Sequence, residues 1–140
     1  MEQHLLKDGA PSNYLASIAD TPALELYPFH LLKLMQDTNQ SPRHHPEGNV
    51  WNHTLLVVDQ AAQRKSQSAS PRVFMWAALL HDIGKPSTTK IRKGKITAYN
   101  HDKVGAALAE EFLSYLNQEP SFISSVCNLI RYHMQILYVG

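Results

Sequence analysis

His81 and Asp82 stand side by side at the end of the apolar run Ala77-Ala78-Leu79-Leu80, and Ile83-Gly84-Lys85-Pro86 follows. Imidazole and carboxylate are both metal ligands, and burying either without a partner is costly. A His-Asp pair at the tail of a buried helix therefore asks for a counterpart, and a divalent metal suits it best. Neighbouring helical residues point about 100° apart, so the two side chains converge best at a helix terminus. Gly84 is expected to supply that break.

Other histidines extend the pattern. His53 falls in an apolar stripe with Val50, Leu56 and Val57; His101 opens one with Gly105, Leu108, Phe112 and Leu116; His133 lies with Phe122, Val126, Leu129, Ile130 and Leu137. Any one histidine on an apolar face is most simply a hydrogen-bonded core residue. Three on three helices, beside a His-Asp pair, point to a shared polar centre. Imidazoles with a carboxylate suit iron, manganese, nickel, cobalt or zinc better than calcium or magnesium, which prefer all-oxygen shells. A metal held by few protein groups keeps positions for water and makes that water far more acidic. Just beyond the pair, Lys85, Lys90, Arg92, Lys93, Lys95 and Lys103 are six of the chain's 13 basic residues. They make a solvated loop or a local field that draws in an anionic substrate.

The elements that must carry these residues read as helices. Residues 1–22, with Gly9, Pro11 and Pro22, are short helical pieces or loop. Leu24 to Met35 has helical apolar spacing at Leu24, Tyr27, Leu31 and Leu34, and residues 36–49 are polar and turn-rich. Asn49 can cap a helix over 50–64 that is apolar on most of its circumference, as a central helix would be. Pro71 suits the start of a helix ending at His81, which Gly84 and Pro86 terminate. Residues 88–99 alternate β-branched and polar residues about Lys93-Gly94, the pattern of a small hairpin or an extended loop. Helices over 101–117 and 121–138 complete the chain. The expectation is an all-α bundle of five or six helices with at most one minor hairpin. Residues 1–40 would be N-terminal helices and turn, and 45–138 the core.

At 140 residues, 44% hydrophobic and 18% charged, the chain fits one globular domain. A net charge of +1 gives no argument for a dedicated nucleic-acid or membrane binder. Cys127 is the only cysteine, which excludes an internal disulfide and a cysteine zinc motif; its apolar flanks predict a buried, inert thiol. The N-terminus has no apolar signal region and no run nears the ~20 residues of a membrane span. A soluble cytoplasmic protein is the default.

In combination, Asn52-His53-Thr54, His81-Asp82-Ile83-Gly84-Lys85-Pro86, and His101 with Gly105 four residues on resemble the HD superfamily of metal-dependent phosphohydrolases. The segment from His45-Pro46-Glu47-Gly48 to His53-Thr54-Leu55-Leu56 is narrower: it is similar to the HD domain of bacterial CCA-adding tRNA nucleotidyltransferases and their stand-alone relatives. The resemblance spans roughly residues 40–135. It implies that His53, His81 and Asp82 take the first three metal-ligand positions and that Lys85 meets substrate phosphate. It places His101 and His133 where some members line the phosphate site or bind a second metal. His44 and His45 are weaker candidates.

One position departs from the family. Its single-metal site ends with an aspartate on a later helix, and this chain has no Asp or Glu after Glu119; Met134 follows His133. Truncation before the final ligand is one expectation, with an apolar edge then open to a second copy of the chain. Completion by His133 or His101, or a weakly held metal, is the other. The resemblance implies a phosphohydrolase acting on a nucleotide, a 2′,3′-cyclic nucleotide or an RNA end. In it Asp82 orients or deprotonates water, and Lys85 with His101 or His133 meets phosphate charge. A non-catalytic HD module that binds a nucleotide or a partner is the alternative.

Overall fold

The computed structural model describes residues 1–132. His133 and the last stretch of the final predicted helix lie outside the described residues. The described part is helical apart from one hairpin: α1 (Glu2–Lys7), α2 (Ser12–Ile18), α3 (His30–Leu34), α4 (Val50–Ala62), α5 (Pro71–Leu80), α6 (Lys85–Thr88), β1 (Thr89–Arg92), β2 (Lys95–Ala98), α7 (His101–Tyr115) and α8 (Pro120–Tyr132). The all-α reading with a minor hairpin holds. No described helix is long and apolar enough to cross a membrane.

The enclosed helix is α5 rather than α4. Six consecutive residues, Met75 to Leu80, are buried, so α5 is apolar all round. It packs against α4 on one side and α8 on another, and α8 in turn packs on α7. By contrast α4 buries one broad face (Val50, Trp51, His53, Thr54, Val57, Val58, Ala61) and leaves Asn52, Leu56 and Gln60 exposed. Leu56 is therefore not part of the His53 stripe. The Asn49 cap forms as expected: its Oδ1 accepts from Asn52 N at 2.8 Å, an interaction usually worth about 1 kcal/mol. Asn49 also donates from Nδ2 to Gln36 O at 2.8 Å, fastening the turn-rich 36–49 segment to the start of α4.

Other expectations shift. Residues 24–35 are not one helix: a 3₁₀ turn at Pro22–Leu24 is followed by α3 and a second 3₁₀ turn at Met35–Asp37. Leu24, Leu32 and Met35 are buried while Tyr27 and Leu34 are exposed, because the break resets the helical phase. On α7 the buried line is Gly105, Ala109, Phe112 and Leu113, with His101 half-buried at its head. Cys127 is half-buried; its Sγ donates to Ala106 O at 3.3 Å, and burial pushes its thiol pKa up.

Around the pair, Pro86 does not stop a helix but starts one, in the first turn of α6, where a missing N–H costs nothing. Gly84 has ordinary right-handed dihedrals, φ −83° and ψ −11°. It is glycine because α7 comes so close: a Cβ there would lie 2.4 Å from His101 O and 2.5 Å from Gly105 N. The hairpin pairs β1 and β2 antiparallel, Thr89 opposite Ala98 and Arg92 opposite Lys95. Lys93 and Gly94 turn it with φ of 51° and 77°, the two positive values that suit the twist of a two-residue turn.

Candidate metal centre

Three elements bring the sequence-predicted residues together. α4 supplies His53 from its first turn, the end of α5 supplies His81 and Asp82, and α7 supplies His101 at its first residue. Asp82 is fully buried. Its Oδ2 lies 3.1 Å from His81 Nε2, 3.6 Å from His53 Nε2 and 3.4 Å from Lys85 Nζ; its Oδ1 lies 3.6 Å from His101 Nε2. Neither oxygen receives a well-formed hydrogen bond among the described residues. Burial alone would raise the pKa of this carboxyl, but the nearby His81, Lys85 and His53 outweigh it and hold the group ionised, well below the usual carboxylate range.

The other ring nitrogens fix the tautomers. His81 Nδ1 lies 2.6 Å from Ala78 O, His101 Nδ1 2.9 Å from Ala98 O, and His53 Nδ1 2.9 Å from Glu47 Oε2. Carbonyls and carboxylates only accept, so Nδ1 carries the proton in each ring and the neutral imidazole keeps its lone pair on Nε2. All three Nε2 atoms thus face Asp82. Burial pushes the His53 pKa down, which favours that neutral form, although Asp82 and Glu47 pull the other way.

Such a set fits a divalent transition ion. Ligand atoms of His53, His81 and Asp82 all lie within 4.8 Å of one another. With protonated rings these contacts are ion pairs to Asp82; with neutral rings the Nε2 lone pairs face the buried carboxylate, and a cation between them would relieve that repulsion. A second set, His45, Glu47 and His53, meets the same distance limit. There the short contact is the His53–Glu47 hydrogen bond, with His45 Nδ1 at 3.5 Å from the same oxygen.

Lys85 is no surface lysine. Its side chain is 11% exposed and Nζ donates to Gln40 Oε1 at 2.7 Å. It lines a cleft of about 270 Å³ together with His44, His45, Thr97, Ala98 and His101. His101 therefore looks on to both Asp82 and the cleft. Two contributors were missed in sequence: Gln40, which holds Lys85, and Glu47, which holds His53. Both sit in the turn-rich 36–49 segment, where helical spacing says nothing about direction. The signals were the loop's place just before His53 and, for Glu47, its position inside the family-like segment that starts at His45.

The HD domain family model matches residues 50–137. The chain belongs to the HD domain family. HD domains bind divalent metals and are often metal-dependent phosphohydrolases. The chain is also 32% identical to the "Multifunctional CCA protein" of Methylococcus capsulatus over 132 residues, 91% of this chain and 28% of that protein. It is 32% identical to the "CC-adding tRNA nucleotidyltransferase" of Thermus thermophilus over 76% of this chain and 24% of that one. A 51-residue stretch is 45% identical to the "Multifunctional CCA protein" of Actinobacillus pleuropneumoniae, covering 36% of this chain and 12% of the relative. The chain thus spans about a quarter or less of these relatives. No solved structure matches it significantly.

Proposed function

We propose that this HD domain is a metal-dependent phosphohydrolase that cleaves a phosphoester of a nucleotide, a 2′,3′-cyclic nucleotide or an RNA end. The observation that carries the reading is the convergence of three Nδ1-anchored imidazoles on buried Asp82 beside a cleft that Lys85 and His101 line. His53, His81 and Asp82 would hold the ion, with His101 approaching from the cleft side. When bound, an iron, manganese, nickel, cobalt or zinc ion supplies Lewis-acid chemistry, polarising phosphoryl oxygen and acidifying water.

The chain's own groups do the rest. Asp82 Oδ1 is turned to His101 rather than to the other two imidazoles, which suits it to orient water and accept its proton. Attack forms the new P–O bond and breaks the ester P–O bond, and the proton taken from water passes to the leaving-group oxygen, which departs as the alcohol. The Lys85 ammonium, steadied by Gln40, meets the negative charge that grows on the phosphoryl oxygens. His101, held by Ala98 O and lining the same cleft, would meet that charge when Nε2 also carries a proton. His133 stays in this proposal on the strength of the resemblance alone.

The test measures transition metal bound to the purified chain, then hydrolysis of mononucleotides, 2′,3′-cyclic nucleotides and a generic phosphoester with manganese, nickel or cobalt added. Metal-dependent turnover supports the reading. Stoichiometric metal with no turnover on any of them overturns it in favour of a binding module.

The hairpin offers a finer prediction. Lys90, Arg92, Lys93 and Lys95 are all exposed, and Thr97 and Ala98 of the same hairpin wall the cleft. Replacing the four by glutamine should raise KM for a short oligoribonucleotide about tenfold at 50 mM salt, since each lost phosphate contact removes about 0.7 from the salt slope. Rates on a mononucleotide, which does not reach the hairpin tip, should stay within about twofold. Steady-state kinetics between 50 and 200 mM salt on both substrates checks this.

A further inference from the structure

We propose that Glu47 is a positioning residue: it fixes the tautomer and ring orientation of His53 and so sets how tightly the site holds a divalent transition ion. The inference rests on the reading above that His53, His81 and Asp82 hold the ion.

The three imidazoles are anchored differently. His81 and His101 are tied to backbone carbonyls three residues earlier in the chain, Ala78 O and Ala98 O, so their tautomers come with the local fold. Glu47 reaches His53 from outside α4, across six residues of sequence, at 2.9 Å. Of the three Nδ1 anchors it is the only charged one. A carboxylate on the far side of a ligating imidazole raises the basicity of the ring as well as orienting it.

The loop is built to deliver that carboxylate. A turn from His45 to Gly48 is closed by Gly48 N donating to His45 O at 3.2 Å. Gly48 has φ 114°, a conformation side-chain-bearing residues rarely adopt. Asn52, in the first turn of α4, donates from Nδ2 to Glu47 O at 3.2 Å, while its own backbone N–H is held by the Asn49 cap. The loop bearing Glu47 is thus fastened to the same helical turn that bears His53. This makes the Glu47–His53 distance a property of one small rigid unit.

A direct ligand role for Glu47 fits less well. The contact is to Nδ1, while Nε2, on the other edge of the ring, faces Asp82. Glu47 therefore stands behind His53 as seen from the centre. His45 is 3.5 Å from the same carboxylate oxygen and its ring meets that of His53 edge to face at 4.9 Å. It packs the group without displacing the shorter bond.

Binding of Mn²⁺ and Co²⁺ to the full chain, read by competition with a chelating dye, tests the role in wild type, Glu47→Gln and Glu47→Ala. The absorption bands of bound Co²⁺ report the donor set, and melting in EDTA reports the metal-free fold. Glutamine keeps an acceptor of the same shape but no charge; alanine removes both. Within the roughly 10- to 100-fold range for such partners, Kd should rise about tenfold for glutamine and approach a hundredfold for alanine. The Co²⁺ bands should change in the alanine variant, and the metal-free glutamine variant should melt within about 4 °C of wild type, since its amide oxygen still accepts from the largely buried His53. A merely structural Glu47 would instead lower melting and leave Kd and the Co²⁺ bands unchanged. Folded Glu47→Gln and Glu47→Ala proteins that both bind Mn²⁺ within twofold of wild type overturn the proposal. Wild type that binds neither ion overturns the metal reading itself, a distinct result.

Discussion

Replacing Asp82 by asparagine is expected to abolish metal-dependent phosphoester hydrolysis, lowering kcat/KM about a thousandfold or more, or about 4 kcal/mol of transition-state stabilisation. The side chain keeps its shape, so the effect is one of charge. Asp82 is fully buried, and its two oxygens face three imidazole nitrogens and the Lys85 ammonium at 3.1–3.6 Å. An amide there supplies no anion for a cation, and its N–H can bond an imidazole Nε2 lone pair that the ion would use. Thermal melting separates loss of metal from loss of chemistry. Metal at a hundred times its Kd should stabilise wild type by about 2.7 kcal/mol, on the order of 10 °C in Tm, because only the folded chain presents the site. The asparagine variant should show almost none of that rise. A variant that still gains the full shift, or that hydrolyses phosphoesters at the wild-type rate, would remove Asp82 from the centre and the proposed mechanism with it.

The difference between what the sequence showed and what it hid follows from how local each signal is. His53 and the His81-Asp82 pair were legible because helical periodicity places them among apolar neighbours, and burial of those neighbours drags the polar groups inside. The Asn49 cap and the Lys93-Gly94 turn were legible for the same reason, since each depends on a few adjacent residues. Glu47 and Gln40 were not. They act from a loop whose direction is set by Gly48, by the Asn49 and Asn52 side chains and by contact with α4, none of which has a period to read. The enclosed helix was misassigned although composition separates the two: α5 carries one polar residue, Arg72, against Asn52, His53, Thr54, Asp59 and Gln60 on α4. Packing against both α4 and α8 then encloses α5. Likewise the 24–35 segment looked continuous because an apolar residue recurred every three or four positions. A change of helix type between Leu24 and His30 shifted the buried set from Tyr27 and Leu34 to Leu32 and Met35.

Gly84 is where the same limits bear most on stability. In sequence it reads as a helix breaker, yet its backbone is one any residue adopts, and the demand comes from α7. A Cβ on Gly84 would meet His101 O at 2.4 Å, Gly105 N at 2.5 Å and Gly105 Cα at 2.9 Å, all backbone atoms with no rotamer to yield. Gly84→Ala must therefore push the first turn of α7 away from the end of α5. That loosens the packing of Ala109, Phe112 and Leu113 and carries His101 off Asp82. The expected cost is about 3 kcal/mol, the upper range for overpacking, and a fall in Tm of about 10 °C. Gly105, the other partner in this contact, makes the sharper comparison. A Cβ there would meet His81 O at 3.4 Å and Gly84 N at 3.5 Å, ordinary contact distances. Inside a helix, glycine to alanine gains up to about 1 kcal/mol, so Gly105→Ala should leave Tm unchanged or slightly raised. Calorimetry on the two variants separates close approach from backbone freedom. If Gly84 served only to end a helix, its alanine variant would melt within a few degrees of wild type, and the close contact of Gly84 with α7 would not be what holds His101 over the site.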